Sequence, residues 1–500
     1  MNHSMRLACA LLPLWLGGCA TSPAPKTVSA PVPAQWLAPL PPQVSLAQQS
    51  KQPHQGSLSD LTQWWQQQGD PLLAELITAA QAVSPTVASA RSRIEQSRAA
   101  RVAAGAALGP TLDASASVSR GNAQQAGGPG PGAAPIATTT QAGLQAAWEI
   151  DLFGANQGHR ASADAARERL AGAQAQWHDA RVSVAAEVAM QYYSLRSCRQ
   201  LAQVTQADAA SRQETARLSS LSTQAGFTAP ATDALARASA FEASGRATQQ
   251  RAQCDLDIKA LVALTGLNEP EIRSNMALDQ QGRAQAAMIF IATVPADALA
   301  QRPDVFSAER EVAAASADIG SAQAQRYPRL SLSGAIGRSG IRSGGEATSL
   351  NTWSIGPLAL TLPLFDGGRR AANVDAAKAR YDEAAALYRA RVRQAVREVE
   401  EALVTLQSTA ERETDAQGAV AGFQASFTGT EARYQSGLAG LVELEDARRG
   451  LLAAQITQAS LQRERMAAWV ALYRAMGGGW TPAIDSARAA AASSASPTSR

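Results

Sequence analysis

The sequence predicts a mixed α/β membrane protein that consists mainly of long α-helices, with a smaller set of β-strands. Three observations predict this fold class. Motifs in the first half of the chain return in the second half after about 218 residues. Each half also contains a stretch of about 70 residues without proline, which favours a very long helix. Finally, four segments alternate apolar and polar side chains, as half-exposed β-strands do.

The duplication is visible in motifs that recur in the same order. Their spacing falls from 218 residues for the early motifs to 212 and then 211 for the later ones. We assign the missing residues to one loop, in which 121–138 corresponds to a shorter 340–350. The paired motifs are Ser84-Pro85-Thr86-Val87 with Arg302-Pro303-Asp304-Val305, Pro110-Thr111-Leu112 with Pro328-Arg329-Leu330, Leu152-Phe153 with Leu364-Phe365, Gly226 with Gly437, and Gly266 with Gly477.

Each repeat begins with a short helix, at about 85–107 and 303–325. After two strands comes the long helix, because no proline interrupts 154–225 or 364–481. At a rise of 1.5 Å per residue, about 70 residues span about 100 Å, a length typical of coiled-coil assemblies. A turn and a shorter returning helix complete the repeat.

The four predicted strands cover about 111–120, 139–153, 329–339 and 351–365. Their period of two over about ten residues is typical of transmembrane β-strands with an apolar outer face. A soluble sandwich with one buried face is the alternative. The fourth strand loses its alternation at Gly356-Pro357, which predicts a bulge. Four strands are too few for a barrel with a lumen, whereas three copies would supply twelve, so the strands predict an oligomer.

The N-terminus has the layout of a secretory signal peptide. The basic Arg6 precedes an apolar stretch, Leu7–Leu16, and Gly17-Gly18 stands directly before Cys19. This arrangement resembles the lipobox of bacterial lipoproteins, in which the cysteine becomes the acylated first residue. The resemblance implies a covalent lipid on Cys19 and sorting to the outer membrane, since Ala20 follows. An ordinary signal peptide with an incidental cysteine is the alternative.

Composition restricts the possible functions. A formal net charge of +3, with no dense basic run, argues against nucleic acid as a partner. Aromatic residues are only 5% of the chain, which favours closely packed helices over a thick globular interior. The sequence has four histidines and no metalloprotease, hydrolase or phosphate-binding motif. We therefore expect neither an enzyme nor a metal site, and no cofactor besides the lipid.

Several short motifs stand in order on the duplicated frame. They are Trp64-Trp65, Gly69-Asp70-Pro71-Leu72-Leu73, Arg302-Pro303-Asp304-Val305, Tyr327-Pro328, Leu362-Pro363-Leu364-Phe365-Asp366-Gly367-Gly368-Arg369 and Arg433-Tyr434-Gln435-Ser436-Gly437. Taken together, they resemble the motifs of the TolC-type outer-membrane factors, and the resemblance covers nearly all of the mature chain. They are similar to the NodT/OprM-like lipoprotein branch, which works with resistance-nodulation-division (RND) efflux pumps.

The resemblance implies a homotrimer that shares one twelve-stranded transmembrane β-barrel above a periplasmic coiled-coil tunnel. The partners it implies are a periplasmic membrane-fusion adaptor, an inner-membrane RND-type pump and outer-membrane lipid. The function would be passive conduction of small molecules, such as drugs or other toxic compounds, through the gated tunnel. Two alternatives remain open, an exit duct for type I protein secretion and a structural coiled-coil lipoprotein that does not conduct.

By the same resemblance, residues just after the second-repeat turn close the periplasmic end of the tunnel. Val442, Asp446 and Arg449 match the constricting positions, and spacings of four and three place them on one helical face. Three copies of Asp446 would form a charged ring that favours cations, with Arg449 as its partner. A solvated ion pair of little energetic worth is the alternative. Asp233 lies near the corresponding acidic position of the first repeat, displaced by one residue, and receives no role.

The two turns resemble the adaptor-facing tips of the family. They contain Gly226 and Phe227 in the first repeat, and Gly437 and Leu438 in the second. A glycine is needed to turn the chain at each tip whether or not an adaptor binds there. The two glycines are therefore consistent both with a purely structural turn and with an adaptor-facing tip.

The spacing of two cysteines predicts a disulfide. Cys198 lies 28 residues before Gly226 and Cys254 lies 28 after it, so the two come opposite each other in an antiparallel hairpin. An exported compartment permits oxidation. Two small buried thiols are the alternative.

These observations divide the chain into six segments. They are a signal peptide (1–18), a lipidated tether (19–58), the first repeat (59–266), a linker between repeats (267–287), the second repeat (288–480) and a disordered C-terminal tail (481–500).

Overall fold

The computed structural model describes residues 24–38, 65, 70–122, 136–150, 157–278, 299 and 301–480. The expected fold class is confirmed, because long helices dominate and the described strands form one antiparallel sheet. The chain divides into two compact units, each built from both repeats. The sheet unit comprises Met1–Ser29, Arg93–Ala173 and Ser307–Tyr388, and the hairpin unit comprises Ala30–Ser92, Gln174–Phe306 and Arg389–Arg500.

The elements follow the same order in both repeats. In chain order they are α1 (Pro71–Val83), α2 (Pro85–Ala106), β1 (Thr111–Asn122), β2 (Ile136–Ile150), α3 (Gln157–Gln224), α4 (Pro230–Thr265), α5 (Glu269–Leu278), α6 (Pro303–Ala324), β3 (Arg329–Ser343), β4 (Glu346–Thr361), α7 (Arg369–Gln435) and α8 (Leu441–Ala475), followed by a 3₁₀ turn (Gly477–Gly479).

The sheet is a four-stranded antiparallel meander in the order β1-β2-β3-β4. Its register places Leu144, Ile336 and Trp353 in one row across three strands. These side chains are 45%, 62% and 77% exposed, so one face of the sheet presents large apolar groups. The alternation in the sequence therefore marks an uncovered apolar face within one chain. Among the described residues, β1 and β4 each pair with only one strand.

A bulge interrupts the pairing of β3 with β4. Leu332 pairs with Leu358 and Gly334 with Ile355, so Gly356-Pro357 stands opposite Ser333 alone. Two residues against one is the arrangement of a β-bulge, which bends the strand locally. This explains why the alternation of apolar residues slips at that point of the sequence.

The hairpin between β3 and β4 is tighter than expected. The strands run on to Ser343 and from Glu346, so the expected loop over 340–350 is wrong. Only Gly344 and Gly345 turn the chain, and both have positive φ, +57° and +92°. Two successive residues with positive φ match the right-handed twist of the strands, which makes Gly-Gly a favourable two-residue turn.

In the sheet unit, α6 packs between the first part of α3 and the first part of α7. Ala314 and Ala317 form a small buried cluster with Ala165 of α3. On another face of α6, Ile319 packs with Val374 and Ala377 of α7. Alanines occur at both contacts, with Ala322 and Ala377 beside the larger Ile319 and Val374 on the α7 side, and they let the helices approach closely.

The main apolar core lies in the hairpin unit. Its largest fully buried side chains include Leu73 and Leu76 of α1, Tyr192 of α3 and Leu261 of α4. The segment treated as a linker contributes to this core, because it begins with α5, whose Ile272 and Met276 are buried there. That part of the chain is therefore a packed helix.

The Arg-Pro-Asp-Val motif at the start of α6 has a structural role. Arg302 is 5% exposed, donates to the carbonyl of Ala475 at 2.9 Å, and pairs with Asp304 at 2.8 Å and Glu398 at 2.7 Å. Burial acts to raise the pKa of Asp304, but the hydrogen bond and charge of Arg302 outweigh it, and the pKa is lowered. This pair therefore stabilises the fold above the unfolded pKa and is lost as the pH falls.

The N-terminal segment 24–38 is packed, which corrects the expected tether for these residues. In the sheet unit, Tyr381 donates its hydroxyl to the carbonyl of Pro25 at 2.9 Å. In the hairpin unit, the amides of Leu37 and Ala38 both donate to the carboxylate of Glu400, each at 2.7 Å. Trp36 beside them is 7% exposed. Cys19, the rest of the tether and the tail 481–500 lie outside the described residues.

We compared the described helices with the length and hydropathy of a membrane span. No single helix meets both criteria. The pair α1 and α2 meets them together, with a bend of 52° at the break between them.

A disulfide joins Cys198 of α3 to Cys254 of α4, with a Cα–Cα distance of 5.5 Å. It links the cysteine pair that the hairpin symmetry predicts. The second hairpin carries Thr409 and Arg465 at the corresponding distances from Gly437, so only the first hairpin has this covalent link.

Reduction or a Cys254→Ser substitution should loosen the first hairpin selectively. The cysteines are 56 residues apart, and a loop of that length corresponds to a stabilisation of about 4 kcal/mol. Hydrogen exchange should accelerate between Cys198 and Cys254, while α7 and α8 serve as the internal control. Two alkylatable thiols at these positions in the untreated protein would contradict the bond.

Candidate functional site

Both hairpin tips are built in the same way. At the second tip, the amide of Gly437 donates to Tyr434 at 3.0 Å and that of Leu438 donates to Arg433 at 2.7 Å. Gly226 and Phe227 make the corresponding bonds at the first tip. This pattern is the Schellman motif, which satisfies the last carbonyls of a helix and requires the left-handed conformation. The two glycines supply it, with φ of +80° and +74°.

The residue after each glycine is a large apolar side chain exposed to solvent. Phe227 is 87% exposed and Leu438 is 73% exposed. At the second tip an ion pair joins the two helices, with Arg433 and Glu443 at 2.6 Å. Each tip therefore presents one apolar side chain on a turn held by backbone hydrogen bonds.

The three predicted gate residues lie together on the outer face of the first turns of α8. Val442 is 64% exposed. The side chains of Asp446 and Arg449 are 63% and 76% exposed, and they form an ion pair at 3.4 Å. Within one chain the pair is solvated and contributes little to stability.

The opposite face of α8 is buried and carries two charges that the sequence analysis missed. Leu441 and Leu444 are buried there, and so are Glu445 at 7% and Arg448 at 5% exposure. The spacing of the apolar residues on α8 could have revealed the buried arginine. Positions 441, 444, 448 and 451 share one helical face, which places Arg448 on an apolar stripe.

Glu445 connects the second hairpin to the first. Its carboxylate pairs with Arg212 of α3 and accepts a hydrogen bond from Ser239 of α4 at 2.8 Å. Arg212 also pairs with Asp208 at 2.9 Å and donates to Ser239 at 2.6 Å. Arg212, Asp208 and Glu445 have side chains at most 9% exposed, so these charges are satisfied inside the protein rather than by water.

Arg448 completes this cluster. It pairs with Glu445 at 3.0 Å and donates to the hydroxyls of Ser211 at 2.9 Å and Thr215 at 2.8 Å. Burial raises the pKa of Tyr434; the positive charge of Arg448 opposes this rise, and the charge of Glu445 adds to it. We call Asp208, Arg212, Glu445 and Arg448 the buried charge cluster. It ties α8 to α3 one turn from the gate residues.

Asp233 does not resemble Asp446 in its surroundings. It is 8% exposed and pairs with Arg237 at 3.1 Å, and its Oδ1 has no hydrogen-bond partner among the described residues. Counting 211 residues back from Asp446 leads to Leu235, so Asp233 is displaced by two positions along α4 rather than by the expected one. The first hairpin therefore does not carry an acidic residue at the equivalent exposed position.

No group of three or more metal-ligating side chains occurs among the described residues. The site instead combines an exposed polar face with a buried ionic connection. Such an arrangement can present charge to a neighbouring surface and fix the orientation of the helix that carries it.

Replacing Glu445 with alanine should destabilise the protein far more than replacing its neighbour Asp446. The first change removes the carboxylate that the buried Arg212 and Arg448 share and leaves Arg212 paired with Asp208 alone. Breaking a buried ion pair by removing one partner costs about 3–5 kcal/mol. The second removes an exposed pair worth at most about 1 kcal/mol. Thermal unfolding in detergent, followed by helical circular dichroism, should show a lower Tm for Glu445→Ala. Equal melting shifts for both variants would contradict a buried role for Glu445.

Comparison with known proteins gives one consistent family. The family model for outer membrane efflux proteins matches residues 76–267 and 294–478, so it matches both repeats. The chain is 31% identical over 493 residues to outer membrane protein OprJ of Pseudomonas aeruginosa, covering 94% of this chain and 95% of that protein. It is 29% identical over 473 residues to the solvent efflux pump outer membrane protein SrpC of Pseudomonas putida, covering 94% and 97%.

A solved structure has the same fold. A membrane protein from Pseudomonas aeruginosa superposes with a TM-score of 0.76 at 26% sequence identity. The match covers 92% of this chain and 98% of that chain, so it includes the sheet and both hairpins. The chain belongs to the outer membrane efflux protein family.

Proposed function

We propose that the protein is the outer-membrane channel of a tripartite efflux system, conducting small molecules passively to the outside. The observation that carries this proposal is the family match over both repeats, with relatives named as efflux pump outer membrane proteins. The apolar face of the sheet supports it, because lipid can cover side chains such as Ile336 and Trp353. Its role is transport rather than catalysis.

The channel acts as a homotrimer. Four strands with two open edges per chain become twelve strands without an edge when three copies associate. A periplasmic membrane-fusion adaptor and an inner-membrane RND-type pump are its partners. The exposed Phe227 and Leu438 at the tips suit an adaptor surface, because apolar side chains on rigid turns lose little entropy when they bind.

The exposed face of α8 gates the periplasmic end of the tunnel. In a trimer, three copies of Val442, Asp446 and Arg449 line the constriction. The acidic ring favours cations, and its pairing with arginine holds the closed state. The buried charge cluster supports this role, because it fixes which face of α8 is packed within the chain and leaves the face with the gate residues exposed.

Neutralising the gate should shift the channel toward its open state. Exposed ion pairs are worth about 0.2–1 kcal/mol each, so losing three should raise the open-to-closed ratio about 3- to 140-fold. We therefore expect higher single-channel conductance and weaker cation preference in planar bilayers for Asp446→Asn. Glu401→Gln is the matched control, since Glu401 is an exposed carboxylate paired with an arginine at 3.6 Å on α7.

Two results would contradict these roles. Equal conductance changes in Asp446→Asn and the control would remove Asp446 from the gate. A folded trimer that does not conduct in either form would favour a structural coiled-coil lipoprotein over a channel.

A lipid on Cys19 is a second membrane attachment beside the barrel. If the barrel holds the trimer in the membrane, a Cys19→Ala variant that is exported and cleaved by another signal peptidase should still form trimers. Detergent extraction followed by native electrophoresis measures the fraction of the variant that is trimeric. Recovery of only soluble, unassembled chains would show that the lipid is required for assembly.

A further inference from the structure

Three arginines share the apolar face of the sheet. Side chains alternate between the two faces along a strand, so the strand pairing shows which residues lie on the same face as Leu144 and Ile336. The charged residues that the described strands carry on this face are all basic. They are Arg120 of β1 and Arg338 and Arg342 of β3, and all three are exposed. We call them the outer arginine patch.

The acidic residues of the described strands lie on the other face of the sheet. They are Asp113 of β1, Glu149 of β2 and Glu346 of β4, which pair with Gln145, Ser331 and Ser343. No carboxylate of these strands therefore shares the face of the outer arginine patch. The apolar face carries positive charge that is available to an anion from outside the sheet.

The outer arginine patch lies at the hairpin end of the sheet, away from the helices. Arg338 and Arg342 follow Leu330, near the helical end of β3, by eight and twelve residues. At a rise of about 3.3 Å per residue and a tilt of about 40°, they lie about 20 and 30 Å above Leu330. The apolar band of such a barrel is about 25 Å tall. Its outer edge therefore falls between the two arginines.

The arginines surround a shallow notch in the sheet. Arg120 and Arg342 both pair with Thr138, so they lie in one row, about 10 Å apart across two strand spacings. Arg338 lies about 13 Å from Arg342 along β3. Gly340 lies between these two positions, and a Cβ there would come within 2.8 Å of the Thr140 hydroxyl. The absence of a side chain at Gly340 leaves the notch open.

The side chain of Arg338 leans toward this notch. It donates to the hydroxyl of Ser349 at 2.9 Å, although its partner in the strand pairing is Asn351. Ser349 lies opposite Gly340, one row nearer to the hairpin end. Long basic side chains turn in this way from apolar surface toward a polar boundary. The hydroxyl proton of Ser349 can then be donated to a third group in the notch.

We infer that the outer arginine patch binds the phosphate groups of a lipid in the outer leaflet of the surrounding membrane. A guanidinium group binds phosphate through two parallel hydrogen bonds, and the Ser349 hydroxyl adds a further donor. The acyl chains of the same lipid cover the apolar rows below the notch, which contain Leu144, Ile336 and Trp353. This inference rests on the proposed function, since it requires the apolar face to contact a membrane.

Native mass spectrometry of the full-length trimer in neutral detergent tests the inference, with diphosphoryl lipid A as the probe. The unmodified protein should bind up to three molecules, one per chain. An arginine beside an anionic lipid surface changes affinity about fivefold, so Arg338→Gln/Arg342→Gln should weaken binding about 30-fold. Arg120→Gln, on another strand, should weaken it about fivefold. Arg329→Gln is the matched control and should bind normally, because Arg329 is exposed on the opposite face of β3.

Two further probes identify what the patch recognises. Phosphatidylethanolamine, whose headgroup has no net charge, should bind equally to the unmodified protein and the double variant. Inorganic phosphate at the concentration of the lipid should not displace it, because free phosphate lacks the acyl chains. Equal binding of diphosphoryl lipid A to the unmodified protein and the double variant would overturn the site. Displacement by inorganic phosphate would overturn lipid as its occupant.

Single-channel conductance of the same samples separates this inference from the proposed function. A conducting trimer that binds diphosphoryl lipid A equally with and without the arginines would overturn the site and leave the channel standing. A protein that neither forms trimers nor conducts before any substitution would overturn the channel, and the lipid site with it.

Discussion

Close packing of long helices over small side chains is the constraint on which the rest of the structure depends. The helix contacts in both units are lined by alanine, as in the cluster of Ala165, Ala314 and Ala317 and that of Ala209, Ala243 and Ala247. Each buried alanine contributes little, about 0.8 kcal/mol for a methyl-sized group. Stability therefore accumulates along the length of the helices, and every helix needs neighbours on both sides. One chain does not provide them everywhere, which connects the duplicated fold to assembly with further copies.

The buried charge cluster follows from the same constraint. Alanine stripes can slide past one another, because small side chains leave few features that define a register. Arg212 and Glu445 supply a defined register between the two hairpins, with hydrogen bonds that point in fixed directions. Buried ion pairs are often no more stabilising than apolar residues of similar size, so we interpret this one as specifying orientation. That orientation keeps Asp446 and Arg449 on the outer face of α8.

The sequence predicted those parts of the fold that local chemistry determines. Prolines start α2, α4 and α6, glycines with positive φ end the long helices, and alternation locates the strands. Interactions between distant segments were harder to predict. The binding of Leu37 and Ala38 to Glu400 depends on backbone amides, which leave no trace in composition. Nothing in the local sequence distinguishes Glu445 from a surface carboxylate, because its partner Arg212 is 233 residues away in sequence.

Some helices are exposed in a single chain, and we expect other copies to cover them. Counting the chains in the detergent-solubilised complex tests this expectation most directly. Native mass spectrometry of the mature protein, released from its micelle, gives this number without a label or substitution. We predict a complex of three chains that persists at low protein concentration. A stable, folded monomer with α2 and α7 exposed to solvent would contradict the dependence of this fold on its neighbours.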